Sequence, residues 1–226
     1  MQSQDPYMNP RHGVLRNRLG LTDGTVLAKA EHDIISWKEI LFRQQAPPEN
    51  FDLNYLKQTH EFLFEDIYAW AGEIRTIALS KANTMSAMPA FIQSEGKKFF
   101  GSLKKESNLR SLDAENFSKR AAHYLGEINM LHPFREGNGR TQRLFMEQLA
   151  KGAGYELDWS KVSRQEMTAA SIEAGRSIPK LFEKLIQTNL TPLSSEHALS
   201  SHGNQEKQTA TRKKLVAQQG ELKKQR

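Results

Sequence analysis

The sequence predicts an all-α domain that carries one small β-hairpin. Two observations lead there. Apolar residues recur at spacings of three and four in long stretches from Phe51 onward, and period-two alternation is confined to one short stretch, Ile74 to Leu79. A third observation sets the scale: with 38% hydrophobic residues in 226 positions, the chain can bury one core. No apolar run approaches the ~18 residues of a membrane span.

The first thirty residues read as an N-terminal extension to which the pattern assigns no element. They have neither a basic n-region nor an apolar h-region, so no secretion leader is expected. Leu56, Phe62, Leu63, Ile67 and Trp70 share one face and predict an amphipathic helix over 51–70, interrupted by Gly72. The alternating stretch at Ile74–Leu79, followed by Ser80-Lys81-Ala82-Asn83-Thr84, predicts the hairpin. Pro89 opens a new helix bearing Phe91, Ile92, Phe99, Phe100 and Leu103. From Asp113, the residues Phe117, Ala121, Tyr124, Leu125, Ile128 and Leu131 keep to one stripe. Pro133 disfavours the α conformation before it, so that helix ends at about His132. Another begins near Gly139 or Arg140, turns Leu144, Phe145 and Leu149 inward and stops at Gly154. A last helix spans 164–189, ahead of Pro192.

Residues 191–226 differ in kind. Only eight of these 36 residues are Ala, Val, Ile, Leu or Met and none is aromatic, so the segment is expected to be disordered or a single helix. It holds seven Lys or Arg against three Glu, +4 of the net charge of +6. A nearly balanced body with a basic tail is not the signature of a nucleic-acid groove, and no nucleic-acid or membrane partner is expected. The absence of cysteine excludes a disulfide scaffold, thiol catalysis and thiolate metal sites.

Chemistry concentrates between the two clearest helices, in His132-Pro133-Phe134-Arg135-Glu136-Gly137-Asn138-Gly139-Arg140-Thr141-Gln142-Arg143. Gly137 and Gly139 let successive N–H groups point into one concavity, which opens on a helix N-terminus that favours anions. Arg140 and Arg143, three apart on that helix, both reach a multiply charged anion such as a polyphosphate. Glu136 offers a hard oxygen ligand of the kind Mg²⁺ takes together with phosphates. His132 is the nearby group able to accept a proton near neutral pH.

This segment resembles the H-x-F-x-(D/E)-G-N-G-R-x-x-R signature of Fic (filamentation induced by cAMP) domain proteins at all eight defined positions. The stretch from His60 to Arg75, with Tyr68-Ala69-Trp70-Ala71-Gly72, is similar to the family's helix leading into its flap. Asp5-Pro6-Tyr7 and Gly13 to Gly20 resemble the N-terminal segment of bacterial Fic toxins and secreted Fic effectors. The resemblance covers about residues 5–190 and implies a Fic domain over 1–190 that is a protein adenylyltransferase moving AMP from ATP to a Tyr, Thr or Ser hydroxyl of a target protein. On that analogy His132 deprotonates the hydroxyl, and Glu136 binds the Mg²⁺ that bridges the phosphates. Gly137, Asn138 and Gly139 cradle the α and β phosphates, and Arg140 and Arg143 hold the departing end. The flap, about 74–88, would position the target segment through Ile77, Ala78, Leu79, Ser80 and Lys81. Ser86 departs from the aromatic residue that relatives often carry there.

Two other readings stay open on the sequence alone: a Fic fold transferring another phosphorus-containing group, and a non-enzymatic adaptor or nucleic-acid binder using the basic tail. The family's inhibitory pattern, (S/T)-x-x-x-E-(G/N), occurs once, as Ser111-Leu112-Asp113-Ala114-Glu115-Asn116. Glu115, at the far end of the helix that stops at His132, would stand ~25 Å from the loop at 1.5 Å per residue. The expectation is therefore inhibition in trans, by a small separate antitoxin whose Glu reaches Arg143. The expected location is a bacterial cytoplasm, with export into a host or recipient cell left open.

Overall fold

The computed structural model describes residues 5–81, 84–176 and 178–193; at Ser80, Lys81, Thr84 and Met85 it describes the backbone alone. Among the described residues seven α-helices dominate: α1 (Gly24–Arg43), α2 (Leu53–Phe64), α3 (Pro89–Lys105), α4 (Ala114–Leu131), α5 (Asn138–Gly152), α6 (Arg164–Ala174) and α7 (Lys180–Thr188). Two short two-stranded sheets complete the fold: β1 (Ser80–Lys81) antiparallel to β2 (Thr84–Met85), and β3 (Tyr155–Leu157) beside β4 (Leu190–Pro192). Compactness divides the chain after Thr191; residues 194–226, and with them most of the expected tail, lie outside the described residues.

Helix starts follow from local chemistry. Asp23, Asp52, Asp113 and Ser163 each accept hydrogen bonds from free N–H groups in the first turn of α1, α2, α4 and α6, and Glu166 completes a capping box with Ser163. Around α4 and α5, Leu56, Phe100, Phe117, Leu125, Phe145 and Phe182 bury together in the main core. A second cluster joins α1, the end of α2 and the N-terminal segment through Tyr7, Ile35, Phe42, Leu63, Phe64 and Trp70.

Four expectations are corrected. First, α1 begins inside the supposed N-terminal extension. Its buried positions are Leu27, Glu31, Ile35 and Phe42, while Val26, Trp37 and Ile40 are exposed, so no clean apolar stripe announces it. Second, α2 stops at Phe64 instead of Trp70. The chain then doubles back until Gly72 lies against α2, where a Cβ would come within 2.9 Å of Glu61 Cβ; its φ of +78° suits glycine. Third, Ile74–Leu79 forms no strand, and the hairpin is confined to 80–85. The Arg75 N–H donates to Pro133 C=O, which places this stretch on the loop after α4. Fourth, the helix expected over 164–189 is two helices, broken between Gly175 and Pro179, where proline lacks the N–H that a continuing helix requires.

Candidate active site

The loop of 132–137 joins α4 to α5 with two residues in the left-handed region. His132 ends α4 at φ 45° and donates its N–H to Ile128 C=O, and Gly137 caps α5 at φ +79°. Glycine is obligatory at the second position. A Cβ on Gly137 would meet the buried Phe64 ring at 2.2 Å and 2.4 Å. Phe134 is buried as an anchor, and the Asn138 side chain staples the turn, accepting from the Phe134 N–H at 3.0 Å and donating to its C=O at 2.7 Å. Both ends of that side chain are therefore committed, which leaves Asn138 its backbone N–H for an anion.

One cavity of about 650 Å³ brings together His132, Glu136, Gly137, Gly139, Arg140 and Arg143, with Ser86 from the flap. Glu136 is exposed, and its Oε1 accepts from the Gly137 N–H at 3.0 Å. Arg140 is ion-paired with Glu31 of α1, whose other oxygen accepts the Tyr68 hydroxyl at 2.6 Å. Burial pushes the Tyr68 phenol up, and the adjacent Glu31 carboxylate adds to the shift. Arg143 contrasts with its neighbour: its side chain makes no ion pair or hydrogen bond with any described residue. Burial pulls its guanidinium down from the ordinary arginine value; Glu39 opposes that shift and Arg140 reinforces it. A half-buried cation with incomplete compensation, facing a cavity at a helix N-terminus, is suited to bind an anion. Trp159, Val162, Met167 and Ile172 line the same cavity and give it an apolar part that sequence reasoning did not identify.

Of the flap residues singled out, Ile77, Ala78 and Leu79 lie in the approach to β1, and Ser80 and Lys81 form it. The residue that ties this segment to the loop was not anticipated. Arg75 is 1% exposed, and its guanidinium donates to His132 C=O at 2.8 Å, Ile77 C=O at 2.5 Å and Ala87 C=O at 2.6 Å. Both flanks of the hairpin and the catalytic histidine candidate thus hang on one side chain. The N-terminal segment braces the same region. Asp5 accepts from Arg135 of the loop at 2.8 Å and 2.9 Å, and the Tyr7 hydroxyl accepts from the Thr76 N–H at 3.0 Å. Among the described residues no group of three or more His, Asp or Glu is placed to hold a metal ion by itself, and no helix is long and apolar enough to cross a membrane.

Residues 50–150 match the Fic/DOC family. Protein adenylyltransferase VbhT of Bartonella schoenbuchensis is 44% identical over 189 residues, which cover 84% of this chain and 40% of that protein. The chain thus spans less than half the length of this relative. The probable protein adenylyltransferase Fic of Salmonella typhimurium is 38% identical, with 72% of this chain and 80% of that protein covered. Among solved structures, the BepC effector of Bartonella tribocorum with bound AMPPNP superposes with a TM-score of 0.80 at 28% identity, covering 86% of this chain and all of that one. An N-terminal Fic domain from Bartonella quintana with bound ADP gives 0.79 at 31% identity, covering 84% of this chain and 96% of that one.

Proposed function

The chain belongs to the Fic/DOC family, and from that premise we propose that it is a protein adenylyltransferase that transfers AMP from ATP to a Tyr, Thr or Ser hydroxyl of a target protein. The observation that carries the reading is the shared cavity: His132, Glu136, Arg140 and Arg143 line it together with Gly137 and Gly139 at the N-terminus of α5. The hydroxyl oxygen forms a bond to the α phosphorus, the bond from that phosphorus to the β-phosphate oxygen breaks, and pyrophosphate leaves. An imidazole nitrogen of His132 takes the hydroxyl proton. The N–H groups of Gly137, Asn138 and Gly139 and the guanidinium groups of Arg140 and Arg143 hold the phosphates in line and offset the charge that develops. The apolar lining of Trp159, Met167 and Ile172 suits the nucleobase.

The site fits Mg²⁺, because the metal takes few carboxylates plus phosphate oxygens and water, and Glu136 is an exposed carboxylate at the cavity. Bound there, Mg²⁺ supplies positive charge at the phosphates. The hairpin of 80–85, with Ile77, Ala78 and Leu79 before it, is the surface on which the target segment pairs. Arg143, without an ion-pair partner among the described residues, is the point at which a separate antitoxin's Glu restrains the enzyme. Glu115 sits in the first turn of α4 and is not available for that role. The similarity to translocated Bartonella effectors supports export into a recipient cell.

Incubation of the purified chain and a cell lysate with Mg²⁺ and ATP labelled at the α phosphate tests the proposal. Labelled protein is expected with the α label and not with the γ label. His132→Ala should lose it by ~10²–10⁴ in rate with ATP binding kept. Labelling from the γ position alone, or undiminished transfer by the variant, would overturn the reading.

A further inference from the structure

His60 has no place in the chemistry above, yet it is completely buried against the loop: its Nε2 lies 3.0 Å from Glu136 C=O. Its ring is stacked between Phe134, at 3.9 Å between centroids, and Phe64, at 4.6 Å. The Gly72 N–H donates to Nδ1 at 2.8 Å. A backbone N–H can only donate, so Nδ1 must be the acceptor and the ring proton must sit on Nε2, where it donates to Glu136 C=O. Both nitrogens are therefore used, one on each side, and the tautomer is fixed by geometry. Burial also pulls the imidazole down to about 4, which keeps it neutral around pH 7.

We propose that His60 is a positioning residue that holds the Glu136–Gly137 peptide plane in its anion-binding orientation. The inference rests on the adenylyltransferase reading. A trans peptide is planar, with C=O and N–H on opposite sides. Fixing the Glu136 oxygen on His60 therefore aims the Gly137 N–H the other way, toward the Glu136 carboxylate it already contacts at 3.0 Å and the cavity that both residues line. Were this peptide to turn over, a carbonyl oxygen would face the phosphates in place of an N–H. Glycine at 137, with φ +79°, resists such a rotation less than a residue with a side chain would, so the restraint has to come from a partner. His60 is that partner, and the stacked Phe64 and Phe134 rings keep it from swinging.

Two amide substitutions separate this role from simple core packing. Gln places its carboxamide nitrogen near the position of Nε2 and can still reach Glu136 C=O; Asn reaches only to the position of Nδ1. Both remove the stacked imidazole and should lower Tm. For binding of Mg·ATP to the full chain, measured by calorimetry, His60→Asn should raise Kd by roughly tenfold or more, the usual cost of losing a partner that orients a ligand. His60→Gln should stay close to the unaltered chain. In the unaltered chain, ¹⁵N spectra at pH 7 should show His60 with its proton on Nε2, a readout that does not depend on either variant folding.

Equal affinity in both variants and the unaltered chain would overturn the inference alone, as would a His60 proton on Nδ1. Failure of the unaltered chain to bind Mg·ATP would overturn the adenylyltransferase reading and this inference with it.

Discussion

Gly137→Ala is the substitution whose cost can be worked most directly from the structure. The new methyl carbon would stand 2.2 Å, 2.4 Å and 3.0 Å from three atoms of the Phe64 ring, where ordinary contact needs well over 3 Å. Phe64 is completely buried and stacked on His60 and Tyr68, so the ring has no open space to enter. The φ of +79° adds a second cost, about 1–2 kcal/mol for a residue bearing a Cβ. Overpacking of a filled core adds about 1–3 kcal/mol. The two together give roughly 2–5 kcal/mol, or a fall in Tm of roughly 4–20 °C for a domain of this size. Urea unfolding should show the loss, and Mg·ATP binding should fall with it because the nest is displaced. A double-mutant cycle separates the two costs. In a Phe64→Leu background the clash disappears and the conformational cost remains, so Gly137→Ala should cost only about 1–2 kcal/mol there. Strict additivity of the two substitutions, or an unchanged midpoint for Gly137→Ala alone, would refute the argument.

Arg75→Lys keeps the charge but replaces a planar fork that grips three carbonyls with a single ammonium. Its kcat/KM for a labelled target protein should fall by about tenfold or more, while the Kd for Mg·ATP changes far less; equal losses in both would contradict a role centred on the flap. Glu106 is held below its usual value of 4.5, first by its hydrogen bonds from Arg120 and then by the Tyr124 hydroxyl. A depressed carboxyl stabilises the fold above its unfolded value and loses that contribution as pH falls through the folded one. Glu106→Gln should therefore melt lower than the unaltered chain at pH 7, and the gap should close below about pH 4; a gap independent of pH would contradict the linkage.

The readable parts of the molecule were those in which one local rule governs. The stripe of α4 and the prolines at 89 and 133 placed the start of α3, the body of α4 and the start of the loop after α4, because each rests on periodicity or on a fixed backbone preference. The grouping of the loop residues was legible for the same reason: His132, Glu136, Gly137, Gly139, Arg140 and Arg143 lie within twelve residues, and one cavity gathers them. What escaped depends on contacts between distant residues. In α1 a core position is taken by Glu31, which reads as a surface residue until Arg140 and Tyr68 are seen beside it. Arg75 looked like the polar half of an alternating strand, because its partners are backbone carbonyls that no side-chain pattern reveals. His60 shows no role in the sequence for the same reason: its hydrogen-bond partners are the backbone of Gly72 and Glu136. The break between α6 and α7 falls between Gly175 and Pro179, which a single helix over 164–189 passes over.

The clasp between Asp5 and Arg135 joins residues 130 positions apart. During synthesis at ~5–20 residues per second, Asp5 waits on the order of ten seconds for its partner to be made. Until then the Tyr7 segment and the flap approach can meet, since Thr76 has already emerged, but the loop of 132–137 does not yet exist to be braced. Of the N-terminal segment's hydrogen bonds to Thr76 and Arg135, the one to the loop is thus the last whose partner is made. A nascent chain has no braced loop until Arg135 has been made, about seven-tenths of the way through the compact unit that ends at Thr191.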